Sequence, residues 1–152
     1  MNRYPLLDNG FRNALAVVLV TASVGACSTG TRAAPSPETL PPGTARVMIN
    51  NQALPETHAV QCLPIGSLTM ITAGDDTSGA KASVSNEKAL TAKSVTFHGL
   101  AGFTGSYAQG IQGAAQTTMN GYTYIIRGSA EGFNQNDPAL RTVDTFTMQV
   151  AC

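Results

Sequence analysis

Tryptophan is absent, and aromatic residues make up only 6% of the 152-residue chain. Any core must therefore be built from aliphatic and small side chains. Charged residues amount to 12%, about half the usual share, and the formal net charge is zero. Without a basic excess there is no counterion release to drive nucleic-acid binding, so that class is set aside. No apolar run approaches the roughly 20 residues a membrane-crossing helix needs, which excludes a polytopic membrane protein. No heptad pattern supports a coiled coil. C-x-x-C and H-E-x-x-H are both missing, which removes the commonest zinc and redox signatures. What is present is 43% hydrophobic residues, too many for a wholly disordered chain. The polar remainder is rich in Thr, Ser and Gly, which suits strands and turns better than long helices.

The first 26 residues read as an export signal. Arg3 and Arg12 supply a positive start, and Ala14–Val20 an apolar centre. A helix over Asn13–Ala26 would rise only about 21 Å, short of the roughly 30 Å hydrocarbon core. Val24-Gly25-Ala26-Cys27 then has the form of a bacterial lipobox. The Cys27 thiol is the expected acceptor of diacylglycerol, and its amino group of a further acyl chain. Two or more chains make a stable anchor, whereas one alone is marginal. Removal of residues 1–26 leaves seven basic and eight acidic side chains, so the lipid rather than charge is expected to hold the membrane.

Residues 28–44 carry four of the eight prolines and a single large apolar residue, Leu40. They read as an extended, disordered tether with polyproline II character. Its Ser and Thr residues near proline form a pattern compatible with O-glycosylation.

From residue 45 onward the pattern becomes that of short strands, giving an all-β expectation for 45–152. The architecture expected is a small antiparallel sandwich or partly closed barrel. Candidate strands cover 46–50, 58–62, 67–72, 81–85, 93–99, 103–107, 114–119, 122–128 and 145–152. Asn50-Asn51 and Asn120-Gly121 read as turns, the latter as a hairpin centre with both residues at positive φ. Asp137-Pro138 followed by Ala139-Leu140-Arg141 reads as one short helix, with a cap and a first-turn proline. Glu87–Leu90 is a weaker helical candidate.

Assigning Cys27 to lipid leaves Cys62 and Cys152 as an even pair in an exported chain, and a Cys62–Cys152 disulfide is expected. It would close a loop of about 90 residues and pin the C-terminal residue. Candidate chemistry elsewhere is sparse. His58 and His98 lie on separate strands and read as solvated side chains. Asp75-Asp76 reads as turn chemistry rather than a calcium site. Gly99–Gly105 is no P-loop, and its glycines read as bulges or close strand packing. Tyr122 and Tyr124 read as neighbours on one strand face, either as core edge or as an exposed aromatic patch. No catalytic residue, metal or cofactor is expected.

The lipobox at Cys27, the tether, Val60-Gln61-Cys62, the segment Gly121–Gly128 and the terminal Phe146–Cys152 occur in an order that resembles the mycobacterial nineteen-kilodalton lipoprotein antigen family. The resemblance spans the whole chain. It implies a non-enzymatic lipoprotein on the extracytoplasmic face of the cell membrane and envelope, lipidated at Cys27 and bridged at Cys62 and Cys152. It further implies an antigen whose acylated N-terminus engages host Toll-like receptor 2, with adhesin or glycan contacts as another family trait. From the residues alone, a second reading is an envelope carrier holding a lipid or small ligand in a cavity between sheets.

Overall fold

A computed structural model describes residues 38–152. The export signal, Cys27 and the tether as far as residue 37 lie outside the described residues.

Alternation of apolar and polar residues yields ten strands: β1 (Ala45–Ile49), β2 (Gln52–Ala53), β3 (Val60–Ile65), β4 (Leu68–Gly74), β5 (Gly79–Ser85), β6 (Thr91–Leu100), β7 (Phe103–Ala108), β8 (Ala114–Asn120), β9 (Thr123–Asn134) and β10 (Asp137–Ala151). All pairings are antiparallel and belong to one sheet, in the order β2-β1-β10-β9-β7-β6-β5-β4-β3. The long β9 is shared lengthwise. Its first half pairs with β8 and its second half with β7. The ladder does not close: β2 and β3 end the strand order and β8 pairs with β9 alone, while an isolated Ala45–Thr57 bridge, each N–H donating to the other carbonyl (2.9 and 3.0 Å), ties β1 to the segment before β3.

The sheet curls over one core. Inward-facing Ile71, Ala82, Val95, Phe97, Phe103, Ile126, Phe146, Met148 and Val150 are all buried. Phe97 holds the centre. Its ring centroid lies 4.9 Å from that of Phe146 on β10 and 6.3 Å from that of Phe103 on β7. Strands far apart in the pairing order thus meet through side chains.

The glycines of the 99–105 stretch and of β9 explain how the layers approach so closely. Gly105 pairs with Gly132 across β7 and β9. A Cβ on Gly132 would collide with the Thr104 carbonyl and the Gly105 backbone, and the Phe103 ring covers both glycines. The aromatic ring occupies the space that two side chains would otherwise take.

Three expectations require correction. Residues 137–141 are the start of β10, not a helix. The β9–β10 register shifts between Asp137 and Arg141, so Pro138 sits in a bulge where its missing N–H costs no ladder bond. A single helical turn has little stability of its own, and pairing with β9 overrides it. Glu87–Ala89 is a bend between β5 and β6 rather than a helix. Residues 38–44, expected as the end of the tether, belong to the domain. Leu40 and Thr44 are buried, the Leu40 N–H donates to Thr123 Oγ1 (2.9 Å), and the Gly43 N–H donates to the Ala151 carbonyl (2.9 Å).

Replacing Gly132 by Ala should cost about 1–3 kcal/mol through overpacking. Urea unfolding measures it; an unchanged midpoint would show that the β7–β9 contact is looser than described.

Candidate functional site

The residues that carried functional expectations divide into three places: a covalent staple, a polar turn and an apolar end. At the staple, Cys62 on β3 is bonded to Cys152, with Cα atoms 5.8 Å apart and 90 positions between them. Cys62 faces inward opposite Ile71 and packs against the core. Cys152 lies one residue beyond β10, and its N–H donates to the Tyr122 carbonyl (3.1 Å). The bridge therefore joins one edge strand of the sheet to the end of a central strand. Nearby, the Tyr124 hydroxyl lies 3.5 Å from Thr69 Oγ1, a second link between β9 and β4.

The polar turn is Asp75–Ser78, between β4 and β5. Asp75 Oδ1 accepts from the Thr77 hydroxyl (2.6 Å), the Thr77 N–H (2.8 Å) and the Ser78 N–H (2.8 Å). These bonds, the Thr77 hydroxyl foremost, hold the carboxyl below its ordinary value of 3.8. The carboxylate is thus committed to shaping the turn. Asp76 makes only a loose, exposed ion pair with Lys81, at 3.7 Å, a contact of little energetic weight.

The fold brings both histidines toward this turn, on opposite sides. His58 borders a recess of about 470 Å³ that also contains Asp75, Asp76 and Lys81. His98 borders a smaller one of about 200 Å³. Both are open surface depressions. His58 Nδ1 stands 3.3 Å from Thr44 Oγ1, and His98 is exposed on β6. Among the described residues no group of three His, Cys, Asp or Glu side chains is placed to share a metal ion. Inside the curl, where the second reading would put a carrier cavity, the Phe97 ring meets those of Phe103 and Phe146. A further recess of about 310 Å³, partly apolar, lies at the rim between Leu54, Leu100 and Ala73.

The two tyrosines part company. Asn120 pairs with Thr123, so the β8–β9 turn is centred on Gly121-Tyr122, one residue later than expected. Gly121 has φ +57° while Asn120 does not adopt a positive φ, as in a hairpin with glycine at its first central position. Tyr122 therefore projects from the turn into solvent, and Tyr124 is half-buried. Sequence reading placed both on one strand face; the pairing register decides otherwise. It also did not single out the apolar end: Leu63, Ile65, Leu68 and Met70 on the β3–β4 hairpin are exposed. Their signal was an alternation in which both faces are apolar.

Residues 38–152 match the family model described as Mycobacterium 19 kDa lipoprotein antigen. The chain belongs to that family. A Mycobacterium avium subsp. hominissuis (strain TH135) protein named "Putative lipoprotein" is 33% identical over 152 residues, covering 99% of each chain. A second protein of the same name, from Mycobacterium indicus pranii (strain DSM 45239 / MTCC 9506), is 33% identical over 140 residues, covering 91% of this chain and 96% of its own. This family is one of lipoprotein antigens, and the staple and curled sheet described above are its architecture in this chain.

Two outcomes follow for this region. Breaking the bridge by Cys62→Ala with Cys152→Ala should lower stability by about 4–5 kcal/mol, the chain-entropy value for a loop of this length; denaturant titration of the double variant measures it. Asp75 should titrate below 3.8 in a carbon-detected NMR titration. Because its folded value is depressed, its contribution is present above the unfolded value and is lost as pH falls through the lower folded value. Asp75→Asn should remove that acid dependence from amide exchange of Thr77 and Ser78.

Proposed function

We propose that this chain is a lipid-anchored protein of the mycobacterial cell envelope, held on the extracytoplasmic face by acyl chains on Cys27, and that its domain acts by contact rather than catalysis. The observation that carries this reading is the full-length alignment with the M. avium relative. The similarity to a protein named as a lipoprotein spans 99% of both chains, a length that includes the Val24–Cys27 motif. An aliphatic residue, two small residues and a cysteine are what a lipoprotein signal peptidase and an acyl transfer to sulfur require. The family match begins only eleven positions after Cys27.

Family resemblance extends the reading to the host. The acylated N-terminus is proposed as the ligand of Toll-like receptor 2, and the domain as an antigenic surface capable of adhesion. The domain's sparse charge supports apolar and hydrogen-bonded contacts over long-range electrostatic steering.

Cys27→Ala should abolish acylation and release the protein from membranes into the soluble fraction. Intact mass of the membrane-extracted protein measures the acyl addition directly. Retention of the variant in the membrane fraction would overturn the anchoring assignment.

A further inference from the structure

The β3–β4 hairpin exposes an apolar face that the fold itself leaves uncovered. Leu63 pairs with Met70, and Ile65 with Leu68. Directly opposed residues in an antiparallel pair share a face, so these four side chains form one block. Cys62 and Ile71, which alternate with them, point into the core. The four are 36–59% exposed. From Val60 to Gly74 the hairpin contains no charged residue, so the block has no charged residue on its own two strands. A contiguous exposed apolar patch of this kind marks a contact surface.

Its position is tied to the point where the chain enters the domain. Leu40 is hydrogen-bonded to Thr123. The neighbouring residue Tyr122 is 75% exposed, and its carbonyl accepts from Cys152. Cys152 is bonded to Cys62, the residue before Leu63. Entry point, Tyr122, staple and patch thus succeed one another through direct bonds.

We infer that this face, together with the exposed Tyr122, docks onto the lipid surface that holds Cys27. This inference rests on the anchoring proposed above. Cys27 and Glu38 are eleven positions apart, so their separation cannot exceed roughly 40 Å even for a fully extended chain. The membrane is therefore always within reach of the entry point, and docking is an intramolecular event at high effective concentration. Weak apolar contact suffices under those conditions. Exposed aliphatic side chains and an exposed tyrosine match the interfacial zone of a bilayer, where tyrosine keeps its ring in the apolar region and its hydroxyl in water.

The chain has no tryptophan, so Tyr122→Trp supplies a single reporter at an exposed turn. The full-length acylated variant is reconstituted in phosphatidylcholine–phosphatidylglycerol vesicles with brominated acyl chains. Docking predicts a blue shift and loss of emission, and Leu140→Trp, at an exposed site on β10, should show neither. Adding Ile65→Glu and Leu68→Glu to Tyr122→Trp should restore emission while the protein still floats with the vesicles. These are exposed positions, and unchanged circular dichroism confirms folding. Unquenched emission from protein that carries the acyl mass and floats would overturn docking and leave anchoring intact. A concentration-dependent blue shift in unbrominated detergent, without quenching in vesicles, would assign the face to a second copy and overturn docking. Absence of the acyl mass would overturn the anchoring reading, and docking with it.

Discussion

The Cys62–Cys152 bond supplies what the hydrogen-bond ladder cannot. A ten-stranded antiparallel sheet whose ladder does not close keeps edge strands and a natural tendency to twist open. In this fold the edge strand β3 is bonded through Cys62 to the residue just past β10. That bond and the Ala45–Thr57 bridge both span the ends of the ladder, and across the curl Phe97 of β6 meets Phe146 of β10. The disulfide also anchors Cys152, next to the end of β10, whose pairing with β9 runs as far as Ala151. A domain with few aromatics gains most from a constraint that shrinks the unfolded ensemble, because its core offers less burial to oppose chain entropy.

Composition and curvature are two sides of one solution. Ala73, Ala80, Ala82, Ala92 and Ala130 are all buried, which lets layers approach to distances that larger residues would forbid. Gly105 and Gly132 take this further, with backbone against backbone under the Phe103 ring. The three inward-facing phenylalanines Phe97, Phe103 and Phe146 are spent at the centre, where tilted ring contacts fill the space most completely. The absence of tryptophan is consistent with such an interior, since an indole would need both more room and a hydrogen-bond partner.

Strand alternation, the paired asparagines at 50–51 and cysteine parity were legible because each depends on local chemistry. Asn50 and Asn51 adopt φ of 48° and 64°, a conformation their short polar side chains tolerate. The features that escaped reading depend on partners remote in sequence. Asp137-Pro138 looks like a helix start until β9 is seen to claim it. Thr123 rather than Tyr122 begins β9 because Asn120 pairs with it, and nothing near Gly121 announces that choice. Leu40 reads as a stray apolar residue in a tether until Thr123 is placed beside it. The staple and its two cysteines were readable from the sequence, whereas the apolar face beside it was not. Period-two patterns identify faces but do not say which face another layer will cover.

Strand direction then separates the two ends of the hairpin by function. β4 runs from Leu68 to Gly74, a length of roughly 20 Å at about 3.3 Å per residue. The apolar residues lie toward its start, and the Asp75 turn with its flanking histidine recesses lies at its end. The polar turn sits at the other end of the same hairpin from those apolar residues, and the entering segment reaches toward it through Thr44 beside His58 and the Ala45–Thr57 bridge. Docking of the apolar face, as inferred above, would leave the Asp75–Ser78 turn roughly a strand length from the docked residues. Its carboxylate is already satisfied by Thr77 and Ser78, so the turn keeps its shape without a partner. A rigid, outward, pre-formed turn is the kind of surface that a binding protein recognises with little ordering cost. The covalent staple thus does more than stabilise the sheet: it ties the middle of the β3–β4 hairpin, where Cys62 pairs with Ile71, to the end of β10.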